Sequence, residues 1–117
     1  MRGNVDNLVL RKILNYCELI NKSINGHNES YEAFLENQEF FAAVSMFQMQ
    51  IGEVAKYLSN EFTENTKAEI PWKDIKNMRN FFAHVYDDLD PQKVWNTAVN
   101  DIPVLKSFCE EYLKENS

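Results

Sequence analysis

Glycine and proline are scarce in this 117-residue chain, three of each, and without them the many tight turns of a β-sandwich or barrel are hard to build. Cysteine is scarcer still: Cys17 and Cys109 are far apart, with no CxxC spacing and no histidine neighbours. That excludes a disulfide framework, gives no support to a metal site, and makes both thiols small core residues. No uninterrupted apolar run approaches ~18 residues, and MRGNVDNLVL at the start puts charge and polar groups where a signal core would need apolar ones. A cytoplasmic protein with no membrane span is expected. Basic surplus is missing too, since twelve Lys and Arg face eighteen Asp and Glu for a net charge of −6. A broad basic face that coats nucleic acid is disfavoured, so any nucleic-acid chemistry has to be local.

What the chain does have is 44% hydrophobic and 13% aromatic residues, enough for one packed core. Residues 1–117 are expected to form a single all-α domain. From Asn4 to about Ser23, Val5, Val9, Ile13, Tyr16 and Ile20 recur at helical spacing, with Gly26 as the stop and His27 in the loop beyond. A second helical region covers Tyr31 to Ser59, with an interruption near Glu36-Asn37 and the stripe Phe40, Val44, Phe47, Ile51, Val54, Leu58. Phe40 to Gly52 carries no charge, and Ala42, Met46 and Met49 lie away from that stripe. A helix apolar on two sides is central or shared with a second subunit, so oligomerisation is expected. Glu53, the first charge after that run, could face solvent or serve as a buried counter-charge.

The polar segment Asn60 to Glu69 reads as a loop, and Ile70-Pro71-Trp72 as the start of a third helix running to about Val85. Asp90-Pro91 has the form of an N-cap followed by proline, which explains the trio Asp87, Asp88 and Asp90 more simply than a metal does. The last region, Pro91 to Lys114, presents Val94, Ala98, Ile102, Leu105, Phe108 and Tyr112 on one face, kinked or restarted by Pro103.

In the third helix, Trp72, Ile75, Met78, Phe81, Phe82, Val85 and Tyr86 form an apolar arc, with Lys73, Asn77, Asn80 and His84 opposite. Arg79 falls inside the apolar arc, where an arginine is costly unless it meets an acid or lines a cleft. Arg79 and His84 are roughly 140° apart on a straight helix, so side-chain reach or a two-fold axis must bring them together.

The run Arg79-Asn80-Phe81-Phe82-Ala83-His84-Val85-Tyr86 resembles the R-x4-H-x-Y motif of HepT-type HEPN proteins. The resemblance extends to Ile51-Gly52-Glu53, to Ile70-Pro71-Trp72-Lys73-Asp74-Ile75, and to Val94-Trp95, covering essentially the whole chain. It implies an up-and-down bundle of four to five helices that forms a homodimer and acts as a metal-independent endoribonuclease needing no cofactor. It further implies the toxin of a toxin–antitoxin pair, silenced when an MntA-like nucleotidyltransferase adds AMP to the motif tyrosine. By position, Arg79 and His84 are catalytic, Asn80 is their polar helper, Tyr86 is the modified residue, and Glu53 matches an acid that orients the arginine.

Without the resemblance, His84 reads as a surface or capping histidine, Tyr86 as a core-edge aromatic, and Arg79 as a snorkelling residue paired to an acid such as Glu53. Two rival functions follow. One is a non-catalytic nucleotide- or substrate-binding module that serves as adaptor to a partner nucleotidyltransferase; the other is a plain helical dimerisation domain.

Overall fold

The computed structural model describes residues 2–81 and 90–116, and the regular elements among them are all helical. His84, Tyr86, Asp87 and Asp88 lie outside the described residues. The helices are α1 (Arg2–Gly26), α2 (Tyr31–Glu36), α3 (Gln38–Ala55), α4 (Asn60–Thr66), α5 (Trp72–Asn77), α6 (Pro91–Asn96) and α7 (Ile102–Glu115). At about 1.5 Å per residue the 25-residue α1 is roughly 38 Å long, and it sets the longest dimension of the molecule, 44 Å.

α1 packs between α3 and α7 and runs antiparallel to both. At one end the Asp6 carboxylate accepts from Ser59 N and Ser59 Oγ, both at 2.8 Å, while at the other His27 stacks on Phe40 at 3.9 Å. Asn7 Nδ2 donates to the Asn116 carbonyl at 3.0 Å, tying the start of α1 to the end of α7. The seam is filled by Leu10, Ile13, Cys17 and Ile20 of α1, Val44 and Ile51 of α3, and Leu105 and Cys109 of α7. Burial pushes both thiols far up, Cys109 to about 12, so they remain neutral and inert.

Short polar side chains start most of the helices. Ser30, Asn37, Ser59 and Asp90 each accept a hydrogen bond from a backbone N–H in the first turn that follows. Asn37 caps α3 and so produces the break expected near Glu36-Asn37, and Asp90-Pro91 is the expected cap. Three expectations need correction. The segment 60–69 contains α4, because Ser59 caps it and Phe62 and Thr66 anchor it in the core, Thr66 Oγ1 accepting from Trp72 Nε1 at 2.8 Å. α1 does end at Gly26, but the left-handed conformation expected of a glycine stop is taken instead by Asn28 and Glu29, at φ 57 and 54. His27 is no idle loop residue: besides the stacking on Phe40, its Nδ1 lies 2.8 Å from the Ser23 carbonyl.

Pro103 does interrupt the last region. Residues Thr97–Asp101 form a π-helical turn between α6 and α7, a widening that relieves the ring's clash with the preceding turn. The third helix does not stay α-helical: at Met78 it tightens into a 3-10 turn, Met78–Phe81, with Met78 N donating to both Ile75 O and Lys76 O. That turn sits on α3 at Gly52. A Cβ on Gly52 would collide with the backbone nitrogen of Arg79 and come within 3.0 Å of Ile75 O.

Gly52→Ala therefore tests the fold with a diagnostic sign. Within a helix this change normally stabilises by up to about 1 kcal/mol. Here the overpacking should cost about 1–3 kcal/mol and lower the thermal midpoint by roughly 4–12 °C, as read from circular dichroism melting. The thiols provide a second check. At pH 8 the native protein should resist iodoacetamide and take up two equivalents only once unfolded. Because the folded thiols hold their protons above pH 9 and unfolded ones do not, stability to urea should fall as pH rises from 9 towards 12.

Candidate functional site

Arg79 is exposed, although helical periodicity put it on the apolar arc. Its backbone rests on Gly52, and its side chain borders a hollow of about 300 Å3 whose other walls are Gly52, Lys56, Lys73, Lys76 and Asn77. Of the two ways an arginine can be tolerated there, lining a cleft and meeting an acid, the structure uses the cleft. Asn80 is exposed on the same turn. A second hollow shares Lys73 and Lys76 with the first and is otherwise lined by Asn60, Thr63, Glu64, Lys67, Pro71 and Trp72.

Glu53 is not a buried counter-charge. It pairs with Lys56, Nζ to Oε1 at 2.7 Å, with 45% of its side chain exposed. The hydrogen bond from the Lys56 ammonium holds the Glu53 carboxyl below the usual carboxylate range, the charge of Lys56 adds to this, and Arg79 contributes a smaller part. Glu53 is thus close enough to feel Arg79, but its direct partner is Lys56, which gains correspondingly in basicity. Lys67 is likewise matched to Glu64 at 3.0 Å. Among the described residues Lys73, Lys76 and Arg79 have no ion-pair partner, so within the described residues the groove has a surplus of positive charge in a chain whose net charge is −6.

Arg79, Asn80 and Glu53, singled out in the sequence, lie in one region of the structure, Arg79 close enough to act on the Glu53 carboxyl, and Lys56, Lys73 and Lys76 join them there. The signal for Lys73, Lys76 and Asn77 was their i, i+3 and i+4 spacing on the polar arc. Lys56 comes from another segment, and only the fold brings it alongside. Trp72 and Trp95 are core anchors, 4% and 9% exposed.

α3 also holds the described chain on the far side of the motif. Gln48, fully buried, donates from Nε2 to the Val94 carbonyl at 3.0 Å. One helix therefore fixes Arg79, ahead of residues 82–89, and Val94, after them. Among the described residues no group of histidine, cysteine and acidic side chains could hold a metal ion, and no helix is long and apolar enough to cross a membrane.

Comparison with known proteins bears on what such an arginine-centred groove does. Residues 13–112 match the family described as HepT-like ribonucleases. The chain is 31% identical to a "Putative RNase" of Caldanaerobacter subterraneus subsp. tengcongensis, over 91% of this chain and 92% of that one. It is 34% identical to the "Probable ribonuclease HepT" of Thermococcus cleftensis, over 72% of this chain and 76% of the relative. A "Putative RNase" of Methanocaldococcus jannaschii is 31% identical over 68% of this chain and 72% of its own length. No solved structure matches the chain. With the family's match extending over most of the bundle, motif segment included, the chain belongs to the HepT-like ribonucleases of the HEPN class.

Proposed function

We propose that this chain is the toxin of a HepT/MntA-type toxin–antitoxin pair, a cytoplasmic homodimer that cuts RNA without a metal ion. The observation that carries this reading is Arg79, the first residue of the R-x4-H-x-Y run, exposed in a cationic groove of an otherwise acidic protein. RNA cleavage without a metal needs a base for the 2′-hydroxyl proton, an acid for the leaving 5′-oxygen, and a cation for the pentacovalent phosphate. Arg79 supplies the cation and can grip two phosphate oxygens at once. His84 supplies proton transfer near neutral pH, and in a dimer one copy can take a proton while the other gives one. The 2′-oxygen attacks phosphorus, the 5′-oxygen leaves with a proton, and the products end in a 2′,3′-cyclic phosphate and a 5′-hydroxyl. Asn80 is suited to hydrogen-bond the scissile phosphate, and Glu53 to fix Lys56 and bias Arg79 from the groove's edge.

Dimerisation is supported by α3, whose uncharged outer face is not covered by its own chain: Met46 is 48% exposed. A two-fold axis near this face would bring two copies of the motif to one cleft. The motif tyrosine, Tyr86, is the acceptor for AMP. The partner nucleotidyltransferase would direct the tyrosine oxygen onto the α-phosphorus of ATP and release pyrophosphate. The added phosphate then competes with RNA for Arg79.

Purified, unmodified protein in EDTA should cut RNA to 2′,3′-cyclic phosphate ends. His84→Ala should lower the rate by at least about 10²-fold. Arg79→Ala should lower it by about 10²–10³-fold while moving the thermal midpoint by less than about 3 °C, because the side chain is exposed. Equal cleavage by wild type and His84→Ala would sink the nuclease mechanism; equal inertness of the two would favour the binding-module reading. For the switch, intact mass of protein coexpressed with the nucleotidyltransferase should show AMP additions that disappear in Tyr86→Phe. Additions that persist in that variant would exclude Tyr86 as the acceptor.

A further inference from the structure

Two neighbouring hollows share Lys73 and Lys76 as lining, one of them bordered by Arg79, and their joint character as a groove points to a ligand larger than one phosphate. Lys73 and Lys76 are one helical turn apart on α5 and line both hollows, whereas Asp74 between them lines a different cavity, with Ile70, Lys93, Thr97 and Asp101. The two hollows thus carry five cations, Lys56, Lys67, Lys73, Lys76 and Arg79, against one lining acid, Glu64, which is matched to Lys67. At the Arg79 end Lys56 closes the wall, and its ammonium lies 5.2 Å from the ring centroid of Tyr57. Tyr57 is 63% exposed, an aromatic ring left in solvent at the edge of a cationic groove.

Lysines along a groove, Lys73 and Lys76 without an ion pair among the described residues and Lys56 held by Glu53, with an exposed ring beside them, match what a nucleic-acid single strand requires: point charges for successive phosphates and a flat face on which a base can stack. An acidic protein partner would use the charge but has less need of the ring. From this arrangement we infer that Lys56, Lys73 and Lys76 track the backbone of single-stranded RNA flanking the cleaved phosphate, and that Tyr57 stacks one of its bases. This rests on the ribonuclease reading for the identity of the strand. It explains how a protein of net charge −6 holds RNA: a local positive groove in a low-dielectric wall concentrates the field where the surrounding surface repels.

The test is equilibrium binding of full-length protein carrying His84→Ala, so that RNA survives, to a fluorescein-labelled oligoribonucleotide of about 12 nucleotides. Anisotropy is read between about 50 and 200 mM salt. Adding Lys73→Ala and Lys76→Ala should weaken binding at least about tenfold and reduce the slope of log affinity against log salt by about 1.4, two contacts at ~0.7 each. Lys73→Arg with Lys76→Arg should keep the slope, which guards against misfolding as the cause. Tyr57→Ala should weaken binding roughly fivefold or more with the slope unchanged, since stacking releases no counterions. Lys12→Ala with Lys22→Ala removes the same charge from exposed positions of α1 and should change neither value.

An unchanged slope in the Lys73/Lys76 alanine variant, an equal loss in the α1 control, or no RNA binding by the His84→Ala protein would each overturn the inference. So would retained RNA binding together with lost binding of the nucleotidyltransferase partner, which would make the groove a protein interface. Cleavage assays run alongside separate the two levels. If wild type cuts RNA but the groove variants bind normally, only the groove assignment fails. If wild type is inert but the groove variants lose RNA, the groove stands and the nuclease reading fails.

Discussion

The contact on which the site depends is between two backbones. α3 and the 78–81 turn approach so closely at Gly52 that no side chain fits between them, and this close seat brings the backbone of Arg79 onto α3 while leaving its side chain free. A bulkier residue would hold the two apart, and the arginine would lose its fixed distance from Lys56, which follows α3 on the same helix end. Glycine in a helix interior costs roughly 0.5–1 kcal/mol relative to alanine. Here that local cost is offset by the packing it permits, a pattern expected where position matters more than stability.

The same helix carries a polar stripe through the core. Ser45, Gln48 and Gly52 recur at i, i+3 and i+7, all fully or nearly buried. Gln48 uses its amide nitrogen on Val94 O, yet among the described residues its Oε1 and the Ser45 hydroxyl have no hydrogen-bond partner. Apolar residues of similar size would avoid the desolvation cost, about 1–3 kcal/mol for each unpaired group. α3 is therefore not optimised as a core helix. Its polar and small residues secure the two segments on either side of residues 82–89, while the stripe Phe40, Val44 and Ile51 does the ordinary work of burial against α1.

Sequence periodicity revealed the rods because their apolar stripes are long: Leu10 to Ile24, Phe40 to Leu58 and Val94 to Cys109 are buried largely as spacing demands. It missed α4 because a seven-residue helix anchored by only Phe62 and Thr66 presents too few periods to register. It also misjudged the environment of Arg79. Uniform 100° steps carry no information about the tightening at Met78, which arises from a neighbour 26 positions earlier in sequence. Motif spacing identified the arginine, but the lysines around it were invisible as a set. Lys56 and Lys73 are separated by α4 and its flanking turns, and their common groove exists only once Ser59 and Trp72 have anchored those turns to Asp6 and Thr66.

That dependence links stability to recognition. Asp6 is 5% exposed, and its carboxylate holds both the N–H and the hydroxyl of Ser59, the same hydroxyl that caps α4. Trp72 donates to Thr66 at the end of α4 and packs on Phe62 and Phe108. Both walls of the cationic groove are therefore fixed by buried or part-buried hydrogen bonds, while Lys73 and Lys76 make no ion pair among the described residues. A fixed backbone that carries long cationic side chains would suit a site accepting many sequences, since phosphates could be met by flexible side chains with little of the affinity tied to any one base. Acidic surroundings would add selectivity of another kind to such a groove, because a net charge of −6 disfavours a polyanion away from the cationic cluster at Arg79.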